Sequence, residues 1–191
     1  MKLSAKDYFK YGQIGLGLCL LICLFITPDY FFSFDQGGVS NYGTESKTQI
    51  LFTLGFGFSA LGSLLAVKYL PLKFSRRLAM RAMLTILAVL YLAVLATTYS
   101  YKINDFYRTI HEWSAIGLFV YMSALAIWLR FWQAREQTLV CRWFWFFVIG
   151  LLTAVLTFFG VIHLLFTAQI ISGLAFAMIV NNALKNTKKV L

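Results

Sequence analysis

Residues 143–180 read WFWFFVIGLLTAVLTFFGVIHLLFTAQIISGLAFAMIV and contain no Lys, Arg, Asp or Glu. As one helix these 38 residues would extend about 57 Å at 1.5 Å per residue. A bilayer's hydrocarbon core is about 30 Å thick, and a buried helix of a soluble domain usually stops near 10–14 apolar residues. The run is therefore expected to be two transmembrane helices folded back through a very short turn near residues 159–166, which makes the chain integral to a membrane.

Composition agrees. Of 191 residues, 60% are hydrophobic and 13% charged, against about 45–50% and 25% in soluble domains. The net charge of +10 could suggest nucleic acid, but Lys and Arg fall in clusters between apolar runs. There they are expected to set topology and to meet anionic lipid headgroups, with membrane lipids as partners and no nucleic acid. Cys19, Cys23 and Cys141 read as small packing residues, since an i,i+4 pair within one helix does not suit disulfide geometry.

Four further apolar runs precede the last two, near residues 11–27, 50–70, 78–98 and 112–129. No small-x-small site follows Thr27, so the first is expected to be a retained helix rather than a cleaved signal. The expected architecture is all-α, a single six-transmembrane-helix bundle over residues 1–191. The segments outside the spans alternate: basic, acidic, basic, balanced, basic, uncharged, basic. By the positive-inside rule both termini are expected in the cytoplasm, with the plasma (inner) membrane as the location.

The longest polar segment, residues 29–49, is net acidic, carries the turn signals Gly37-Gly38 and Asn41-Tyr42-Gly43, and predicts no regular element. Its aromatics Tyr30, Phe31, Phe32 and Phe34 suit a membrane interface. Within the second run, Gly55, Ser59 and Ser63 recur at i, i+4 and i+8, one helix face, and predict a close helix contact. That contact would lie within the bundle or against a partner helix in self- or hetero-association.

The polar residues that could carry function gather toward the expected outer ends: Asp29, Asp35, Ser40, Asn41, Glu45, Asp105, His111, Glu112, His163 and Gln169. His111 and Glu112 open the fourth span and are the candidate catalytic pair, with His111 a general base. Asp29, Ser40, Asn41, Glu45, Asp105, His163 and Gln169 are the candidate substrate contacts. His163 interrupts an otherwise charge-free run, and ionisable groups at membrane depth tend to be functional. Gln169 is expected to face the bundle and hydrogen-bond a neighbour. No HExxH, CxxC, Walker, GxGxxG or Ser-centred motif is present. His111 and His163 are the only histidines, so no cofactor is expected, and the sequence leaves open whether the protein is an enzyme.

Pro28-Asp29, Val39-Ser40-Asn41-Tyr42-Gly43 and residues 49–56, QILFTLGF, together resemble the first external loop and second helix of the DUF998 and Frag1/DRAM/Sfk1-like integral membrane proteins. Those have six or so helices and a first-loop segment of the form (I/V)-S-x-x-G before an apolar helix. His111 also resembles a position where such proteins carry a histidine. The chain departs from the pattern in having Asn41 where an acidic residue often follows the serine, and in lacking a Pro before Glu45. The resemblance implies a lipid-related role without naming a reaction.

The sequence thus supports an amphiphile or lipid head-group site at the outer face. Its rivals are a non-enzymatic structural or interaction protein, and a small transporter or haem- or metal-binding protein. The topology has a direct test: single cysteines at Ser40 and Asp105 should react with an impermeant reagent from outside, and those at Lys73 and Arg135 should be protected. Labelling of position 73 from outside would overturn it.

Overall fold

The structure, a computed structural model, describes residues 3–29, 38–72, 76–99, 105–133 and 137–185. Tyr30, Phe31, Phe32, Phe34, Asp35, Gly37, Lys73 and Arg135 lie outside the described residues. Six long helices form α1 (Ala5–Ile26), α2 (Gln49–Lys68), α3 (Arg77–Thr98), α4 (Asp105–Trp128), α5 (Thr138–Phe158) and α6 (Leu165–Ala183). Each is long and apolar enough to cross a membrane, as expected where every backbone polar group must be satisfied within its own segment. No strand occurs among the described residues. This is an integral membrane protein built as a six-helix bundle.

Several boundaries differ from the sequence expectation, each for a local reason. α1 starts at Ala5, well ahead of the apolar run, because Ser4 and Asp7 form a reciprocal cap. Ser4 N–H donates to Asp7 Oδ2 at 2.9 Å and Asp7 N–H donates to Ser4 Oγ at 3.4 Å, which satisfies otherwise orphaned donors. α4 likewise begins at Asp105 rather than near Glu112. Arg108 pairs with Asp105 at 3.0 Å and with Glu112 at 3.9 Å along one face, spacings that suit a helix. Beyond Trp128, α4 widens into a π turn, Leu129–Gln133. Residues 38–44, expected to be irregular, form a 3₁₀ turn (Gly38–Ser40) and a short loop helix (Asn41–Thr44). The two helices of the long apolar run do turn at residues 159–164, with Gly160 at φ +71°.

α1 lies against α2, α2 against α3 and α3 against α4, while α6 contacts α1, α4 and the π turn and carries α5. The tightest crossing joins α1 and α2. A Cβ added to Gly62 would stand 2.8 Å from both the Gly12 Cα and the Tyr8 carbonyl oxygen, and one added to Gly12 would stand 2.6 Å from the Phe58 carbonyl oxygen. Above it, Gly55 abuts the Cys19 Cβ and Leu16, and below it Tyr8 stacks on Tyr69 with ring centroids 4.6 Å apart. Gly55, Ser59 and Ser63 are all buried, so the predicted small-residue face is a contact inside the bundle. Beside it, the buried Tyr91 ring of α3 meets Phe56 of α2 edge-on with centroids 5.9 Å apart.

Gly12→Ala and Gly62→Ala should each destabilise the protein by about 1–3 kcal/mol, because the neighbouring backbone cannot yield to the new methyl without the helices separating. Gly57 has nothing within 4 Å of an added Cβ. Gly57→Ala should therefore be neutral or stabilising by up to about 1 kcal/mol, since alanine favours the helix. Denaturant midpoints of the three variants in one detergent check the contrast.

Candidate functional site

The C-terminal ends of α1, α3 and α5 and the N-terminal ends of α2, α4 and α6 share one side of the bundle, here the loop end, and the first loop folds down into it. Gly38 opens the segment at φ +55°, a left-handed conformation that favours glycine. An added Cβ there would collide with the Gln169 side-chain amide. The next residue, Val39, donates its N–H to Gln169 Oε1 at 2.8 Å. Gln169 does face the bundle, and its neighbour is the loop backbone.

Tyr42 goes deepest, with 0% of its surface exposed. Its ring meets Phe166 of α6 edge-on at 5.8 Å, its hydroxyl donates to the Thr27 carbonyl at 3.3 Å, and its carbonyl accepts from Thr48 Oγ1 at 2.8 Å. Gly43 is covered by the Thr98 methyl and the Phe52 ring. The Cys23 thiol points to the Thr48 carbonyl at 3.8 Å. Residues 38–48 are thus held by four helices, α1, α2, α3 and α6, as a plug at the loop end.

His111, 3% exposed, lies next to this plug. Its Nδ1 is 3.1 Å from Thr97 Oγ1 and 3.5 Å from Thr98 Oγ1. Each hydroxyl has one proton, and both protons are already donated to backbone carbonyls: Thr97 to Ala93 at 2.9 Å and Thr98 to Val94 at 2.7 Å. The Nδ1 edge of the ring therefore faces two hydroxyls that are themselves tied to the α3 backbone. Thr98 joins the two features, since its methyl covers Gly43 and its hydroxyl faces His111.

The remaining candidate residues are spread around this centre. Ser40, Asn41 and Glu45 are half-buried on the plug. The Asn41 carbonyl accepts from Thr44 Oγ1 and the Glu45 carbonyl accepts from the Thr48 and Gln49 N–H groups. Asp29 and His163 are exposed, His163 on the turn between α5 and α6. Asp105 and Glu112 are also exposed and share Arg108. Although adjacent in sequence, His111 and Glu112 differ by about 100° around the helix, one buried and one exposed. Among the described residues no three His, Cys, Asp or Glu side chains come close enough to hold a metal ion.

Thr97, Thr98 and Thr48 had no motif to mark them in the sequence, and Tyr42 stood out only as the middle of the Asn41-Tyr42-Gly43 turn signal. The one available signal was the Thr97-Thr98 pair closing an otherwise apolar span. At the same end a cleft of about 320 Å³ opens between α2 and α3, lined by Gln49, Ile50, Thr53, Leu54 and Tyr99. Compared with known protein families, curated proteins and solved structures, the chain matches none.

Gln169→Leu removes the acceptor that the Val39 N–H has among the described residues. Leaving a buried donor unpaired costs about 1–3 kcal/mol, and the cost falls on the plug rather than on the helices. Amide exchange of residues 38–44 should accelerate about tenfold or more, while the centres of α2 and α3 keep their protection. Exchange read by mass spectrometry checks both.

Proposed function

We propose that this membrane protein binds the polar head of a lipid or other amphiphile at the loop end of the bundle, and that this end faces outward with both termini in the cytoplasm. The observation that carries the reading is His111: a histidine buried near the loop end of α4, its Nδ1 edge against two threonine hydroxyls. Buried ionisable groups in membrane spans are costly and tend to be functional. Two threonine hydroxyls hold this one in a defined orientation.

The roles follow from placement. Ser40, Asn41 and Glu45 on the plug supply polar contacts to the head, with Gln169 holding the plug rather than touching ligand. His111 is the buried ionisable group beside the plug and serves as general base where chemistry follows binding. Asp29, Asp105, Glu112 and His163 form an exposed polar rim, and the apolar helix surfaces below take the acyl chain. The basic loops at the opposite end orient the protein in the plasma (inner) membrane and meet anionic headgroups.

Two rivals lose support. The small-residue face that motivated helix-mediated association packs against α1 inside the bundle. Of the hydroxyls that could line a transport path, Thr97, Ser123 and Thr153 each donate to the carbonyl four residues back in their own helix.

Lipid extracted from the purified protein and identified by mass spectrometry tests the reading. A species enriched over the bulk membrane is expected, with enrichment reduced about tenfold in His111→Ala while the unfolding midpoint of the variant is reported alongside. His111→Gln, which keeps a polar side chain of similar reach, should retain more stability and still lose enrichment. Absence of any selective lipid in the unsubstituted protein would overturn the proposal.

A further inference from the structure

At the end of the bundle opposite the plug, the backbone of α4 widens after Trp128 into the π turn Leu129–Gln133. Such turns often mark functional positions. Leu129 is buried in the core, while Phe131 and Trp132 are 49% and 58% exposed. The turn therefore sends one aliphatic side chain inward and two aromatic rings outward. The Arg130 guanidinium stands over the Phe131 ring, 5.2 Å from its centroid. That ring is held from two sides, edge-on to Trp132 at 6.2 Å and edge-on to Phe144 of α5 at 5.8 Å. Phe131 thus closes the seam between α4 and α5, and a half-buried cation rests on the closure.

A guanidinium is planar, presents a fork of donors that matches a phosphate, and stacks on a ring by its charge as a whole. The Phe131 ring holds this one in place, so less freedom is lost when an anion pairs with it. Its charge adds to that of Lys68, Arg76, Arg77, Arg81 and Arg142 at the same end, where Asp7 is tied to Ser4 Oγ at 2.6 Å. A soluble anion would meet the charge alone. A lipid also covers the exposed rings, beside helices long and apolar enough to cross a membrane, and exposed tryptophan at a helix end suits that surface. A related contact closes the seam between α1 and α2, where Lys68 stands 5.5 Å over Tyr69 and Tyr69 stacks on Tyr8. Lys68 is exposed and its ammonium has no fork, so the seam at Arg130 is the stronger seat.

We infer that the seam between the π turn and α5 seats a phosphate-bearing anionic lipid, its phosphate on the Arg130 guanidinium and its chains against the Phe131 and Trp132 rings. This narrows the general attraction of the basic end to one place and one residue. It does not rest on the loop-end site, which lies at the other end of α4, and either can fail without the other.

The test uses the full chain carrying Trp113→Phe, because the other four tryptophans, Trp128, Trp132, Trp143 and Trp145, lie toward this end. In phosphatidylcholine bilayers the protein is titrated with brominated phosphatidylglycerol or brominated phosphatidylcholine, and tryptophan quenching reads which lipid is in contact. The anionic lipid should be preferred about fivefold at equal mole fraction, the contribution of one arginine beside an anionic headgroup. Arg130→Gln should bring the preference close to one. Phe131→Leu, which keeps the charge and removes the ring beneath it, should give an intermediate value and carries the test where Arg130→Gln fails to fold. Arg81→Gln, which removes a charge of the same end from outside the seam, should leave the preference within about twofold. Equal quenching by the two lipids in the unsubstituted background would overturn the inference. An equal loss in Arg81→Gln and Arg130→Gln would overturn the seat in favour of a diffuse basic field, and displacement of the brominated lipid by inorganic phosphate would overturn the lipid as its occupant.

Discussion

The bundle depends on how closely α1 and α2 approach at Gly12 and Gly62. Between helices in lipid the hydrophobic effect gives little, because acyl chains are as apolar as the side chains they would replace; contact rests on dispersion and on polar groups that find partners. Both require the backbones to come near. With hydrogen in place of Cβ at Gly12 and Gly62, each helix touches the other's main chain. That proximity sets the register which brings Gly55 onto Cys19 and Tyr8 onto Tyr69. The loop leaving α1 is then delivered to the end where α6 begins.

The plug is a consequence of that delivery. A buried loop must satisfy its backbone groups, and residues 38–48 do so with few of their own atoms. Gln169 takes the Val39 N–H, and Thr48 supplies a proton to the Tyr42 carbonyl. Gly38 and Gly43 are needed for different reasons, the first for its positive φ and its contact with Gln169, the second because Thr98 and Phe52 occupy the space a side chain would fill. Because Thr98 also faces His111, the same residue packs the plug and orients the histidine. Structure and candidate chemistry are coupled there through one side chain.

Charges at the loop end divide into two kinds. Asp105, Arg108 and Glu112 form an exposed ladder whose main effect is on the helix: it extends α4 outward beyond the apolar run. Exposed pairs of this sort are weak, and their contribution is to helix continuity. His111 stands on the same helix, a quarter turn from Glu112, with its ring inside against the Thr97 and Thr98 hydroxyls. Position in sequence joins these residues, and burial separates their roles.

What the sequence determined by itself was the membrane, the number of spans and the identity of the small-residue face. Those follow from apolar length against bilayer thickness and from helical periodicity, both local properties of a chain that must hydrogen-bond within each segment. It also marked Gln169 as facing the bundle, and it set His163 rather than His111 inside a charge-free run, where the structure leaves His163 exposed on the turn between α5 and α6. Tertiary structure alone decided that the Gly55 face is internal, that residues 38–48 form a plug, that Glu112 and His111 point apart, and that Thr97 and Thr98 stand beside His111. None of these could be read locally. The Val39–Gln169 bond spans 130 residues of chain, and the hydroxyls beside His111 Nδ1 belong to a different helix. A residue pattern records which face is apolar; which neighbour covers it is fixed only when the helices have chosen partners by how closely their backbones can approach.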